Sequence, residues 1–349
     1  MSGFTKWLKR HPMLFFAGAV YRLGKTKEGR KKVIGIITDP FMIEVEKRGD
    51  KNKGILVCEI NPVVAHSGFF AVFRRLLSAL YFSDEIGARP FVAYSNDFIY
   101  SEKKKINGFE NPFEYYFRPI RSVKEDSLGQ LNAVVRFIPK YTRMAEKLNY
   151  DGATLSYRVT DEYLWSMASV CKKYIYLNDV MAQYVEKGIK QIGLNDRTLA
   201  VHCRGTDFNL ECKNHPTIIS VDEYFRIIDE ILLSGDFDTI FLATDDGNRL
   251  KRFIEKYGTK VKYYTDVERS CSSEGVHYSV SNRENHHYWL GAEVIRDVYS
   301  MSACGGLVAG MSEVSICTRV VRMANGNCFR KQVIIDKGIV NKGAYFVHD

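Results

Sequence analysis

The sequence predicts an α/β protein built on parallel sheets. Three observations carry that prediction. From Leu199 onward, short apolar runs of strand length alternate with amphipathic runs of helix length, the pattern of a parallel sheet covered by helices on both faces. An earlier strand–helix–strand unit spans 54–94. The chain has 349 residues, 46% of them hydrophobic, which is beyond the size at which a single core keeps growing and implies two domains.

The formal charge of +9 is concentrated at one end. Residues 1–33 hold nine Lys or Arg against one acid, Glu28, so this leader carries +8 and the remaining body is nearly neutral. A nucleic-acid binder would carry its charge across the folded body, so no nucleic-acid partner is expected. The apolar run 13–21 is nine residues long, and a membrane-spanning helix needs about 20. Arg22, Lys25 and Lys27 follow it where a signal peptide would show a small-residue cleavage site. A basic amphipathic leader over 1–33 fits better, offering Phe4, Trp7, Leu8, Met13 and Phe16 to lipid and its cations to anionic head groups. The competing reading is an ordinary first helix packed on the domain. Eight scattered cysteines form no CxxC pair and suit a reducing compartment. The expected location is cytoplasmic and peripheral on the inner face of the membrane.

Along the body, 33–38 and 54–60 read as strands separated by a polar stretch from Glu44 to Lys53. Residues 68–87 read as a helix closed by Gly87, followed by a strand at 90–94. Residues 100–155 show weaker periodicity. Helical patterns resume at 161–171 and 178–192. Then come strand 199–203, helix 221–233, strand 239–243, helix 247–257 and strand 260–264. Helix 288–303, strand 305–309, helix 313–324 and strand 332–335 complete the series. The domain boundary falls at Gly193-Leu194-Asn195-Asp196, giving an N-terminal α/β domain over 34–195 and a C-terminal Rossmann-like domain over 196–349.

The most informative string is Val201-His202-Cys203-Arg204-Gly205-Thr206-Asp207. A buried strand ending there delivers a permanently charged guanidinium to its carboxyl end, where open α/β sheets bind ligands. Arg204 can grip a diphosphate with two N–H groups, and His202 and Asp207 can address a base, a sugar or a proton. The plainer alternative is a strand end whose Arg and Asp pair with each other. Strand 239–243 ends in Thr244-Asp245-Asp246-Gly247, where one aspartate caps the next helix and the other stays open. Glu293 and Asp297 share a face of helix 288–303 beside an apolar stripe, so such an acid is either at the rim or holding a polar ligand. Gly310-Met311-Ser312-Glu313-Val314-Ser315 feeds a helix N-terminus, a ready anion site if Ser312 is more than a cap. The pair Asp245-Asp246 is not a metal clamp, and His286-His287 cannot share a helical face, so no metal site is expected. GxGxxG, Walker A and GxSxG patterns are absent from the sequence.

Taken in order, His202-x-Arg204-x-Thr206-Asp207, Glu211, His215-Pro216, Asp222-Glu223-Tyr224, Phe241-to-Asp246, Asp297 and Ser312-Glu313-Val314 resemble the donor half of the α1,6-fucosyltransferases. These are the core N-glycan and rhizobial nodulation enzymes, with related bacterial polysaccharide glycosyltransferases. The resemblance covers roughly 198–324, and Asn111-to-Phe117 looks like a segment common in the bacterial relatives. It implies a GT-B-like fold of two Rossmann-like domains and inversion at the anomeric carbon without an essential metal or other cofactor. It would place His202 and Asp297 on the guanine of GDP-fucose, Arg204 on the β-phosphate and Ser312 in the phosphate region, with Glu211 near the general base. The family usually reads His-x-Arg-Arg-Thr-Asp, whereas Gly205 stands here at the second arginine, and Glu211 is one residue closer to the motif. The function expected is an inverting glycosyltransferase that moves fucose from GDP-fucose to a hydroxyl of a bacterial surface polysaccharide or lipid-linked glycan. The partners are then a nucleotide-sugar donor, a glycan or lipid-linked acceptor and an anionic membrane surface. The alternatives are the same fold with another nucleotide sugar, or a catalytically silent membrane-associated binding protein.

Overall fold

The computed structural model describes residues 12–30, 44–137, 147–151, 154–205, 214–270 and 281–341. The expected strand 33–38, the leader side chains Phe4, Trp7, Leu8, Met13 and Phe16, and Thr206, Asp207 and Glu211 all lie outside the residues or side chains it describes. Helix α1 (Pro12–Gly24) forms on the apolar run. Its later residues Tyr21 and Leu23 are exposed, and Lys25 lies over the Tyr21 ring. Among the described residues no helix is long and apolar enough to cross a membrane.

Two sheets organise the rest. The first contains β1 (Val45–Glu46), β2 (Val57–Ile60), β3 (Arg89–Val92) and β4 (Val134–Arg136) in the order β1-β4-β2-β3. Strand β2 runs parallel to β3 and β4, and β1 is an antiparallel edge. Two of these strands arise where the pattern is weak. Strand β1 sits inside the polar stretch 44–53, its two residues exposed, so it carries no hydrophobic signal. Strand β4 is three residues long, and Val134 and Val135 are buried. Helix α2 (Phe69–Glu85) covers this sheet and buries residues on most of its circumference. A small antiparallel pair, β5 (Tyr150–Asp151) and β6 (Thr154–Leu155), follows.

Two helices lead to the second sheet. Helix α3 (Asp161–Tyr174) starts on Thr160, whose side chain accepts from the Tyr163 N–H. Helix α4 (Asp179–Ile192) starts on Asn178 in the same way and stops at Gly193, left-handed at φ 70°. That glycine ends the helix where the sequence places the boundary.

The second sheet is wholly parallel. Its strands are β7 (Thr198–His202), β8 (Thr239–Ala243), β9 (Val261–Lys262), β10 (Gly306–Gly310) and β11 (Lys331–Ile335), in the order β11-β10-β7-β8-β9. Alternate residues along β7 divide between two cores, as the strand period requires. Leu199, Val201 and Cys203 join a cluster with α5 (Val221–Leu232) and α6 (Gly247–Tyr257). Ala200 joins the larger cluster that includes α7 (His286–Ala303) and α8 (Glu313–Ala324). Small residues Ala200, Ala243 and Ala309 on that face let α7 and α8 lie close to the sheet. The larger cluster runs without interruption from Cys58 to Val321, so both sheets share one continuous apolar interior.

The segment Asn111–Phe117 is the joint between the halves. Phe113, Glu114, Tyr115, Tyr116 and Phe117 are all buried. The Asn178 side chain donates to the carbonyls of Glu114 (3.0 Å) and Tyr115 (2.9 Å), tying the segment to the start of α4. The Tyr116 ring stacks on Tyr288 of α7 at 5.3 Å, and its hydroxyl donates to the Tyr288 carbonyl at 3.1 Å. Gly291 faces that ring, and any Cβ there would collide with it.

Candidate functional site

The second sheet has one place where successive connections leave in opposite directions. From β7 the chain passes to β8 on one side, and β10 later takes the other side. The crevice between the carboxyl ends of β7 and β10 is the ligand position such topology creates. It opens into a cleft of about 490 Å³, within the range of small-molecule sites.

Of the residues singled out in the sequence, His202, Arg204 and Asp297 line this cleft and Ser312 an adjoining recess. His202 is the last residue of β7, and Arg204 follows it. Both line the cleft together with Asp245, His215, Asp297, Glu313 and Val314. His202 is buried, and its Nδ1 stands 3.4 Å from the Ser312 hydroxyl beyond the end of β10. A smaller adjoining recess is lined by His202, Arg204, Gly310, Met311 and Ser312. Residues 110 apart in sequence therefore share one corner because β7 and β10 are neighbours in register, Ala309 opposite His202.

Ser312 is a helix cap, the simpler of the two readings of its sequence. Its hydroxyl accepts from the Ser315 N–H at 3.0 Å, and the Ser315 hydroxyl accepts from the Ser312 N–H at 3.1 Å, a reciprocal capping box. Two first-turn N–H groups, those of Glu313 and Val314, lie outside both this box and the helix's own bonding. Both residues line the cleft, so the positive end of α8 is presented to it.

The two aspartates after β8 divide their tasks. Asp246 caps α6, accepting from Asn248 N–H at 2.8 Å and Arg249 N–H at 3.2 Å. Asp245 accepts the Gly205 N–H at 2.9 Å and lines the cleft. Gly205 is buried, and a Cβ there would stand 2.8 Å from the Asp246 Cγ and nearer still to other atoms of that side chain. The glycine of the first motif thus donates to one aspartate of the second and packs against the other.

Asp297 and Glu293 both line the cleft from α7. Glu293 is buried; Arg283 forms an ion pair with it and the Glu268 N–H donates to it at 3.2 Å. Burial raises its pKa despite Arg283. Burial also pushes the Asp297 carboxyl up to about 7, with Arg269 and Arg296 pulling less strongly the other way. Arg296 is held by Asp266 and stacks over Tyr264 at 3.7 Å, so it belongs to the frame around Asp297.

The opposite wall was not legible as a site. The connection Val64–Gly68, the first turn of α2, Arg75 and Tyr157 line the cleft from the first half. His66 there adopts a left-handed backbone, φ 62°. A short connection between a strand and a helix carries no motif, and only the fold brings it opposite Arg204. Arg74, one residue before Arg75, is wholly buried. Burial opposes its charge, but Glu313, Tyr163 and Cys317 together outweigh this and raise its pKa. Among the described residues no group of three or more His, Cys, Asp or Glu could hold a metal ion. His286 is buried and His287 exposed, so the two rings do not converge on one site.

No family model matches the chain, and no curated protein matches it. Solved structures do. NodZ α-1,6-fucosyltransferase co-crystallized with GDP is 14% identical, matching 78% of this chain and 93% of that one with a TM-score of 0.43. Fucosyltransferase NodZ from Bradyrhizobium is 14% identical, covering 78% and 94%, with a TM-score of 0.42. POFUT1 in complex with GDP-fucose is 14% identical, covering 82% and 99%, with a TM-score of 0.47. At these identities and TM-scores the likeness by itself assigns this chain no activity.

Proposed function

We propose that this protein is an inverting glycosyltransferase that uses GDP-fucose. The observation that carries the reading is the meeting of Arg204, His202 and the open N-terminus of α8 at the switch point of a parallel sheet, inside a cleft. A permanent cation and two free N–H groups suit a diphosphate. Asp297 and His202 stand on the same cleft and suit the polar edge of a purine base. Guanine offers N–H donors to a carboxylate, which is the pairing Asp297 can supply once ionised.

In this reading the 196–349 domain holds the nucleotide and the 34–195 domain faces the acceptor. Glu211 takes the proton from the acceptor hydroxyl, the oxygen attacks the anomeric carbon, and the carbon–phosphate oxygen bond breaks on the opposite face. Charge then develops on the departing GDP, where Arg204 and the α8 N-terminus stabilise it. They supply the positive charge that a metal ion supplies elsewhere, so the reaction is proposed to run without one. A hydroxyl of a bacterial surface polysaccharide or lipid-linked glycan is the acceptor, and the basic leader holds the enzyme peripherally on the cytoplasmic side of an anionic membrane.

Calorimetric titration of the full chain with GDP, ADP, UDP and CDP tests the nucleotide. GDP should bind, and more tightly than the other three. Incubation with GDP-fucose and a bacterial glycan extract, with and without EDTA, tests transfer. Equal affinity for all four nucleotides would refute the guanine assignment, and loss of transfer in EDTA with recovery in Mn²⁺ would refute the metal-free mechanism.

A further inference from the structure

Glu313 poses an electrostatic problem at the site proposed for the diphosphate. It is the first residue of α8, it lines the cleft, and its carboxylate is of the sign that a helix N-terminus attracts. An unpaired acid there would compete with a phosphate for the positive end of the helix and repel it. The fold answers this with a residue 239 positions away. Arg74 lies on α2, its side chain fully buried, and its Nη1 donates to both Glu313 carboxylate oxygens at 3.2 Å. Its other two nitrogens are also engaged. Nε donates to the Tyr163 hydroxyl at 2.8 Å and Nη2 to the Ser156 carbonyl at 2.8 Å. The guanidinium is therefore anchored from three sides and cannot swing toward a ligand. Its one ionised hydrogen-bonding partner is Glu313.

We propose that Arg74 is a positioning residue for a nucleoside diphosphate, acting through Glu313. It pins and neutralises that carboxylate, so the Glu313 and Val314 N–H groups at the end of α8 remain open to an anion. This rests on the phosphate site proposed above and adds a residue from the opposite half of the molecule to it. The pair also makes the anion site depend on contact between the two halves, because α2 belongs to the first and α8 to the second. A purely structural ion pair would bind the halves together without any preference for phosphate. A neutralising pair makes phosphate affinity follow the charge of position 313.

The test is a charge cycle read by calorimetry with three probes, inorganic pyrophosphate, GDP and guanosine, on the full-length protein. The variants are Arg74→Met, Glu313→Gln and the double variant, each checked for a cooperative thermal transition. Arg74→Met should weaken pyrophosphate and GDP binding about tenfold, because one negative charge is uncovered beside the anion. Guanosine binding should not change. The double variant should return to within about threefold of the wild type, since it removes both charges together. Glu313→Gln alone should tighten pyrophosphate binding. A double variant as weak as Arg74→Met, or a parallel loss of guanosine binding, would make Arg74 a structural strut and overturn the proposal. If Arg74→Met does not fold, Glu313→Gln decides, and unchanged pyrophosphate affinity overturns it. A wild type that binds pyrophosphate and not GDP would defeat the guanine reading while leaving the charge cycle measurable. A wild type that binds neither would defeat both.

Discussion

Asp297 offers a prediction whose size follows from the structure. Burial in α7 places its carboxyl pKa at about 7 against an ordinary 3.8. A guanine that donates N–H groups to it needs the ionised form, so affinity scales with the ionised fraction. That fraction is about 0.1 at pH 6 and about 0.9 at pH 8, a roughly tenfold change in the GDP dissociation constant, or about 1.4 kcal/mol. The free protein should show the opposite trend. The native state binds this proton more tightly than the unfolded chain, so from about 3.8 to about 7 this group makes stability fall as pH rises. Bound GDP reverses the preference. The assay is calorimetry at pH 6, 7 and 8 on the wild type and on Asp297→Asn. The phosphates of GDP titrate in both proteins, so the difference between them isolates Asp297. The variant should bind more weakly at pH 8, by about 10- to 100-fold for a lost charge-assisted contact, with a smaller dependence on pH. Parallel pH curves for the two proteins would refute the argument, because Asp297 would then not titrate on binding.

Four further outcomes are expected. Arg204→Ala should lower the rate of fucosyl transfer about 100- to 1,000-fold with an unchanged thermal transition, and steady-state kinetics with GDP-fucose would show it. Gly205→Ala should destabilise the fold by about 1–3 kcal/mol in urea unfolding, because the new methyl group displaces Asp246 from the cap of α6. For the same reason, placing arginine at 205 should not raise activity. Removing residues 1–32 should abolish sedimentation with anionic vesicles at low salt and leave GDP binding intact. Each Lys or Arg near such a surface contributes about 1 kcal/mol, and equal sedimentation of both forms would show the leader to be an ordinary packed helix.

The sequence by itself marked out the strands and helices of the second sheet, though not the order of its strands. Strand 239–243 and helices 247–257 and 313–324 stand in the structure with the boundaries read from the chain. The reason is local. The central strands β7, β8 and β10 are buried on both faces and helices α5 and α6 each have one apolar side, so period and capping residues speak plainly there. His202 and Arg204 at the end of β7, Ser312 before α8 and Asp297 on a face of α7 stand on these elements, which is why the sequence could mark them as candidates. In the first half the signal fails where the strands are short or exposed, as in β1, or where burial comes from aromatic packing without a period, as in Asn111–Phe117.

Only the tertiary structure decided which neighbours those residues have. Sequence left Asp245 and Asp246 interchangeable; in the structure Asp246 accepts from the first N–H groups of α6, while Asp245 holds the Gly205 N–H and lines the cleft. The sequence left Asp297 either at the rim of an apolar stripe or holding a polar ligand; only the packing of α7 puts it on the cleft and lets burial lift its pKa. Arg74 and Arg75 are consecutive and alike on paper. One is sealed against Glu313 from the other half of the chain, and the other lines the cleft with its guanidinium on the Ser67 hydroxyl. Charge, burial and proximity between distant segments are properties of the packed chain, and no period or motif encodes them.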